Sequence, residues 1–347
     1  MRRLFIIFIL LPIMVLTAHA SEITPPTVPE GGEAVFPEDP TSFSDGLEEI
    51  LRDATVYIRP AIADCMDSCI KILAIVIMAS IFQGTTFAAK RSIALASTLS
   101  IALLLLTSTD SLINLGTKTI TDITHYGKLL LPVMATAMAA QGAPSSSAAL
   151  FAGTASLNAL LSSIVTAVLI PMIYIYLVLG AASNAIDEDL LKKTKAFIKW
   201  CLTWILKIVL YVFTGYMSIT GVVTGSIDAA AIKATKITLS GVVPVVGGII
   251  SDASEVMLVS AGVLKNTAGI YGILALISIL IGPFIKIGIQ YLALKATGSL
   301  CSIFCVPQCG NIIQDFTTAM GLLLAMTGTV SLLQLISTVC FMRGVGI

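Results

Sequence analysis

Asp252 and Glu255 lie three residues apart in the apolar stretch Ser240–Gly269, a spacing that puts both carboxylates on one face of a helix. Ionised groups at membrane depth cost about 2.5–3.5 kcal/mol each on insertion scales, so such a pair faces protein, a counter-charge or water. Pro244 and the pair Gly247-Gly248 precede them, and proline with glycine breaks a helix where neighbours or a cavity must satisfy the freed backbone. Lys265, Asn266 and Lys286 follow, and the two lysines are the candidate counter-charges. These eight positions form the candidate polar and hinge site. The structural alternative is a solvated loop at the membrane edge.

Other groupings carry less chemistry. His125 stands three residues after Asp122, but a lone surface histidine is the reading favoured over a catalytic pair. Cys301, Cys305 and Cys309 recur every fourth residue, as do Cys65 and Cys69. Zinc and iron–sulfur sites favour shorter C-x2-C steps, and no histidine completes the set, so packing is the expected role of these thiols. The sequence holds no H-E-x-x-H, phosphate-loop or G-x-S-x-G motif. No catalytic residue, metal or cofactor is expected, and enzymatic activity is not.

The elements that must position these residues are membrane helices. Of 347 residues 56% are hydrophobic and 12% charged, with a mean hydropathy of +0.98. Long apolar runs at that composition imply an all-α, polytopic transmembrane helix bundle in a lipid bilayer. The formal net charge is zero, which offers no basic surface for nucleic acid. Small residues such as Gly215, Gly221 and Gly225, or Gly262, Gly269 and Gly272, suit close helix packing in a bundle or a homo-oligomer.

In chain order, residues 1–20 read as a secretory signal peptide: Arg2-Arg3, an apolar core, and Ala18-His19-Ala20 before Ser21. The alternative is an uncleaved first membrane helix. Residues 21–64 form an acidic, partly disordered extracytoplasmic segment that holds half of the chain's 20 acidic residues. Within it 21–42 reads as a solvated tether and 43–58 as a short amphipathic helix. The polytopic membrane domain occupies 65–347. Six spans are expected, at 65–89, 92–108, 148–180, 200–223, 268–294 and 316–342, with polar connections at 110–128, 187–199, 228–236 and 298–314. Lys90-Arg91 and the cluster Lys192, Lys193, Lys195 and Lys199 argue for cytoplasmic turns. Those two assignments conflict in parity if 129–140 crosses fully. Re-entry of 129–147, and by analogy of 240–264, removes the conflict; full crossing with a misplaced lysine cluster is the alternative. The same interval separates Pro132 from Pro171 and Pro244 from Pro283, which allows an internal duplication with halves 129–225 and 241–342. A kink is expected at Pro171.

The segment SGVVPVVGGIISDASEVMLVSAGVLKNTAGIYG (Ser240–Gly272), with IGPFIKIGIQYLALKATGSL (Ile281–Leu300), resembles the stage III sporulation protein AE family of endospore-forming Firmicutes. The signal peptide, acidic arm and order of spans agree with it; the tail CSIFCVPQCGN departs, so no role is carried onto its residues. The resemblance implies a non-enzymatic integral subunit of the channel that joins mother cell to forespore, among other membrane proteins of that complex, in the mother-cell membrane facing the intermembrane space. A stand-alone secondary transporter or permease built on duplicated broken helices is the rival reading.

Overall fold

The computed structural model describes residues 26–343, except 38–41, 83–86, 142–143, 187, 243–246 and 305–306; side chains at 87–91, 146, 217–265, 302 and 343 also fall outside the description. Among the described residues there is no strand. The helices are α1 (Glu30–Glu33), α2 (Phe43–Asp53), α3 (Thr55–Ile81), α4 (Phe87–Ala140), α5 (Pro144–Ile164), α6 (Ile170–Ile186), α7 (Asp189–Val242), α8 (Gly247–Cys301) and α9 (Pro307–Arg343). A π-helical turn, Val165–Leu169, joins α5 to α6. Pro171 has no N–H and its ring crowds the carbonyl four residues back, which is where the widened turn lies. The proline therefore remodels the helix instead of ending it.

Five helices are long and apolar enough to cross a membrane among the described residues: Ser92–Ala140, Ser147–Ile186, Asp189–Tyr216, Asn266–Cys301 and Pro307–Met342. The expected connections at 110–128 and 228–236 are helical instead, as is the 189–199 part of the connection expected at 187–199. α4 runs unbroken for 54 residues and α8 for 55, about 80 Å each at 1.5 Å per residue. Leu129–Ala140 is thus the far end of α4, and 247–264 continues directly into the rest of α8. Leu129–Ala140 is therefore not a separate re-entrant hairpin, and of the segment expected to re-enter at 240–264, residues 243–246 lie outside the described residues.

The reason lies in the faces of α4. Ile113, Ile120, Ile123, Tyr126, Leu130 and Met134 are fully buried at steps of three, four and seven residues. Asp110, Asn114, Lys118, Thr121, His125 and Lys128 are exposed on the opposite face. That 3.6-residue period marks an amphipathic helix, in which polar residues need no loop. Hydroxyls on the packed side return to their own backbone: Thr117 to Ile113 O (2.7 Å), Thr119 to Leu115 O (2.8 Å) and Thr124 to Ile120 O (2.7 Å).

Pairings give the direction of each helix. α4 and α9 run parallel, with Ser97 beside Cys309, Gly116 beside Leu323 and Gly127 beside Gln334. α8 runs antiparallel to α4, Gly272 meeting Leu130, and parallel to α3, where Cys65 Sγ–H donates to Gln290 Oε1 (2.7 Å). α5 and α6 return along α4: Ser147 Oγ donates to Ala135 O (2.5 Å) and Tyr174 Oη to Asp110 Oδ1 (2.7 Å). α7 reverses again, with Lys195 at Asp315 and Tyr216 at Gly153. The α3–α4, α6–α7 and α8–α9 connections consequently share one end of the bundle. The lysine cluster and the Lys90-Arg91 turn agree in parity without any re-entrant segment.

Part of the expected tether is built into the fold. Val28 and Val35 are buried, Gly32 lies against Ile279, and Phe36 packs edge-on to Tyr271 at 4.7 Å. The amphipathic helix foreseen for 43–58 appears as α2, whose first turn is capped by Ser42 Oγ accepting from the Asp45 N–H (3.2 Å). It is followed at once by α3.

Close approach at glycine sets the packing. A Cβ on Gly153 would collide with the Tyr216 ring, which its own hydroxyl fixes by donating to Ala149 O (2.7 Å), whereas Gly288 and Gly215 face open space. Gly153→Ala is expected to destabilise the detergent-solubilised protein by about 1–3 kcal/mol through overpacking. Gly288→Ala should be neutral or stabilising by up to about 1 kcal/mol through helix propensity. Thermal unfolding of the two variants side by side checks the contrast.

Candidate functional site

The bundle presents two places where polar side chains from distant parts of the chain converge. The first is an ion pair inside the helices. Lys195, in the second turn of α7, reaches Asp315 of α9 with Nζ–Oδ2 at 2.8 Å. Side-chain exposure is only 17% and 9%, which separates this pair from the exposed ones at Lys71–Asp67 and Arg52–Glu49. Two α6 side chains complete the carboxylate: Asn184 Nδ2 donates to Oδ2 (2.9 Å) and Tyr176 Oη to Oδ1 (3.2 Å). Gly180 makes room, since a Cβ there would come within 2.9 Å of the same carboxylate. Three donors on one buried carboxylate give the arrangement a buried charge needs. It ties α6, α7 and α9 together at the end that holds the α6–α7 connection.

A neutral counterpart joins α5 to α9. Asn158 Nδ2 donates to Gln334 Oε1 (2.8 Å), both side chains buried, and the Gln334 amide lies against Gly127 of α4. Gln334 Nε2 has no hydrogen-bond partner among the described residues.

The second convergence is a cavity of about 220 Å³ halfway along α4 and the Asn266–Cys301 span. Lys118 and Asp122 of α4, Lys286 of α8, Tyr57 of α3 and Glu30 of α1 line it. Lys286 Nζ lies 5.6 Å from the Tyr57 ring centroid, a cation–π contact.

Of the eight positions expected from sequence, Lys286 is the one this cavity takes up. Pro244 lies outside the described residues. Gly247 and Gly248 open α8. Asp252, Glu255 and Lys265 are on α8, and their side chains lie outside the description. Asn266 is exposed. Along α8 the backbone of Lys286 stands about 46 Å beyond that of Glu255, and Lys265 about 15 Å.

The sequence does not single out Asp315, because nothing in IIQDFTTAMGLLL marks the aspartate as buried, and Lys195 stands there only as one of four lysines of a polar connection. The available signal is Asp315 as the one charge between Lys295 and Arg343, with a tyrosine and an asparagine, Tyr176 and Asn184, at the end of another apolar segment. Among the described residues, no three histidine, cysteine or acidic side chains converge as a metal site would need. Cys65, Cys301 and Cys309 are buried as free thiols, and Cys305 lies outside the described residues.

Three comparisons bear on the chain. The family profile described as stage III sporulation protein AE matches residues 41–344. A protein of Bacillus subtilis (strain 168) named stage III sporulation protein AE is 24% identical over 185 residues, 53% of this chain and 46% of that protein. The alignment thus spans about half the length of that curated relative. No solved structure matches.

Removing one partner of a desolvated pair leaves the other charge buried and unpaired. Lys195→Met is therefore expected to cost about 3–5 kcal/mol in detergent unfolding, and Asp315→Leu a similar amount. The double variant Lys195→Met/Asp315→Leu should recover more than half of the summed loss, because no charge is then stranded. Additive losses in that cycle would mean the two groups do not interact.

Proposed function

Because the chain belongs to the stage III sporulation protein AE family, we propose that it is a non-enzymatic integral subunit of the secretion or feeding channel between mother cell and forespore. The single observation that carries this reading is the family match along 41–344. The arrangement of the bundle supports a structural subunit: the buried polar contacts of the Asp315 site are hydrogen bonds and an ion pair that tie helices together. The protein would sit in the mother-cell membrane, with the lysine-bearing connections cytoplasmic and α1–α2 facing the intermembrane space. Asp252 and Glu255, in the first turns of α8, would meet other membrane proteins of the complex or a second copy of the chain. A membrane domain from residue 65 onward, with a signal peptide at 1–20 before the acidic arm, is part of the same proposal.

A stand-alone transporter is the second reading, and the charged cavity at Lys286 favours it. Two measurements separate them. Affinity purification of the tagged chain from sporulating cells should recover other membrane proteins in defined ratio, and the purified chain alone in liposomes should pass no solute. Recovery of the chain alone, with solute flux in liposomes, would establish the transporter instead. The Asp252→Leu/Glu255→Leu variant should insert normally and lose the partners.

A further inference from the structure

Glu30, Lys118, Asp122 and Lys286 put two charges of each sign around one cavity, and they come from three separate helices. Lys118 and Asp122 are one turn apart on α4, about 6 Å along its axis, and both point to the cavity that α8 closes with Lys286. α1 forms the remaining wall: Gly31 lies against Asp122, a Cβ there falling 3.5 Å from Oδ2. Tyr57 packs over Gly282, where a Cβ would stand 3.1 Å from the ring, and so presents its face to Lys286. The ion pairs within 4.0 Å among the described residues are formed elsewhere, at Glu49, Asp53, Asp67, Asp189 and Asp315. None of the four cavity charges neutralises another at contact distance.

We propose that this cavity is a binding site for a small zwitterion, a molecule carrying a primary ammonium and an oxyanion a few ångströms apart. The signs select the ligand. A simple anion would meet two carboxylates, and a simple cation two lysines; a zwitterion gains charge-assisted contacts at both ends. The volume selects its size: about 220 Å³ holds a handful of waters or one molecule near the size of alanine. The α1 wall makes access depend on the N-terminal segment, which no transmembrane role for that segment requires. This site goes beyond the channel reading and does not depend on it.

A free amino acid and the headgroup of an ethanolamine phospholipid share this chemistry. Equilibrium dialysis of the full-length detergent-solubilised protein with labelled L-alanine and, separately, phosphoethanolamine distinguishes them. Saturable binding of alanine alone assigns a free amino acid, and of phosphoethanolamine alone a lipid headgroup. Propionate and methylamine, which carry one charge each, should bind at least about tenfold more weakly than the zwitterion. Lys286→Gln and Asp122→Asn should each weaken binding about tenfold or more, while Lys71→Gln, whose charge lies on the outer face of α3, should leave it unchanged. Thermal unfolding of each variant identifies any that fails to fold. Absence of saturable binding for both probes by the folded wild-type protein overturns the proposal, as does binding that neither cavity variant weakens.

Discussion

α4 has to lie at the centre of the bundle while carrying the polar stretch 110–128 midway along its length, and the other helices accommodate that constraint. It packs against α3, α5, α6, α8 and α9. Its hydroxyls are satisfied by the carbonyls of their own preceding turn, so threonines at 117, 119 and 124 ask nothing of their neighbours. Gly116 and Gly127 let α9 approach closely, and the isoleucines between them fill the interface. What cannot be satisfied this way, the charges and amides of residues 110–128, is turned to the outer face. There Asp110 accepts from Tyr174, and Lys118 with Asp122 forms one wall of the cavity.

A second consequence concerns charge. Only one ion pair among the described residues is strongly desolvated, and it is surrounded by neutral donors from a third helix. A carboxylate so enclosed favours one register of α6, α7 and α9 over alternatives that would strand it, since slipping a single turn would break all three contacts. The exposed pairs contribute little by comparison, as surface ion pairs generally do. The chemistry of the bundle is thus the chemistry of holding helices in register, which fits membership in a sporulation membrane-protein family and the subunit role proposed for the chain.

Helical class, membrane character and family were legible in the residues themselves. Composition and run length are enough for the first two, and the stretch from Ser240 to Leu300 carried the third. The connections were not. Residues 110–128 were read as a loop because hydropathy averages over both faces of a helix, although Ile113, Ile120, Ile123 and Met134 repeat at helical spacing. The parity conflict over the lysine cluster followed from that one reading and disappears with it. Part of the site was beyond sequence for a different reason. Lys195, Asn184 and Asp315 meet only because α7 turns back from α6 beside α9, and Glu30 joins Asp122 at one cavity only because α1 folds onto α8; neither convergence leaves a local pattern.

The uninterrupted passage of α4 through the bundle is the claim on which helix direction, the common end of the lysine connections and the position of the cavity all rest. Spin labels at Leu99 and His125, both exposed, measure it directly by pulsed electron resonance once the native cysteines are replaced by serine. A continuous helix predicts a narrow distribution centred near 39 Å along its axis, widened only by the label linkers. A broad distribution centred well below that distance would mean that the chain turns between these residues, and would contradict the account.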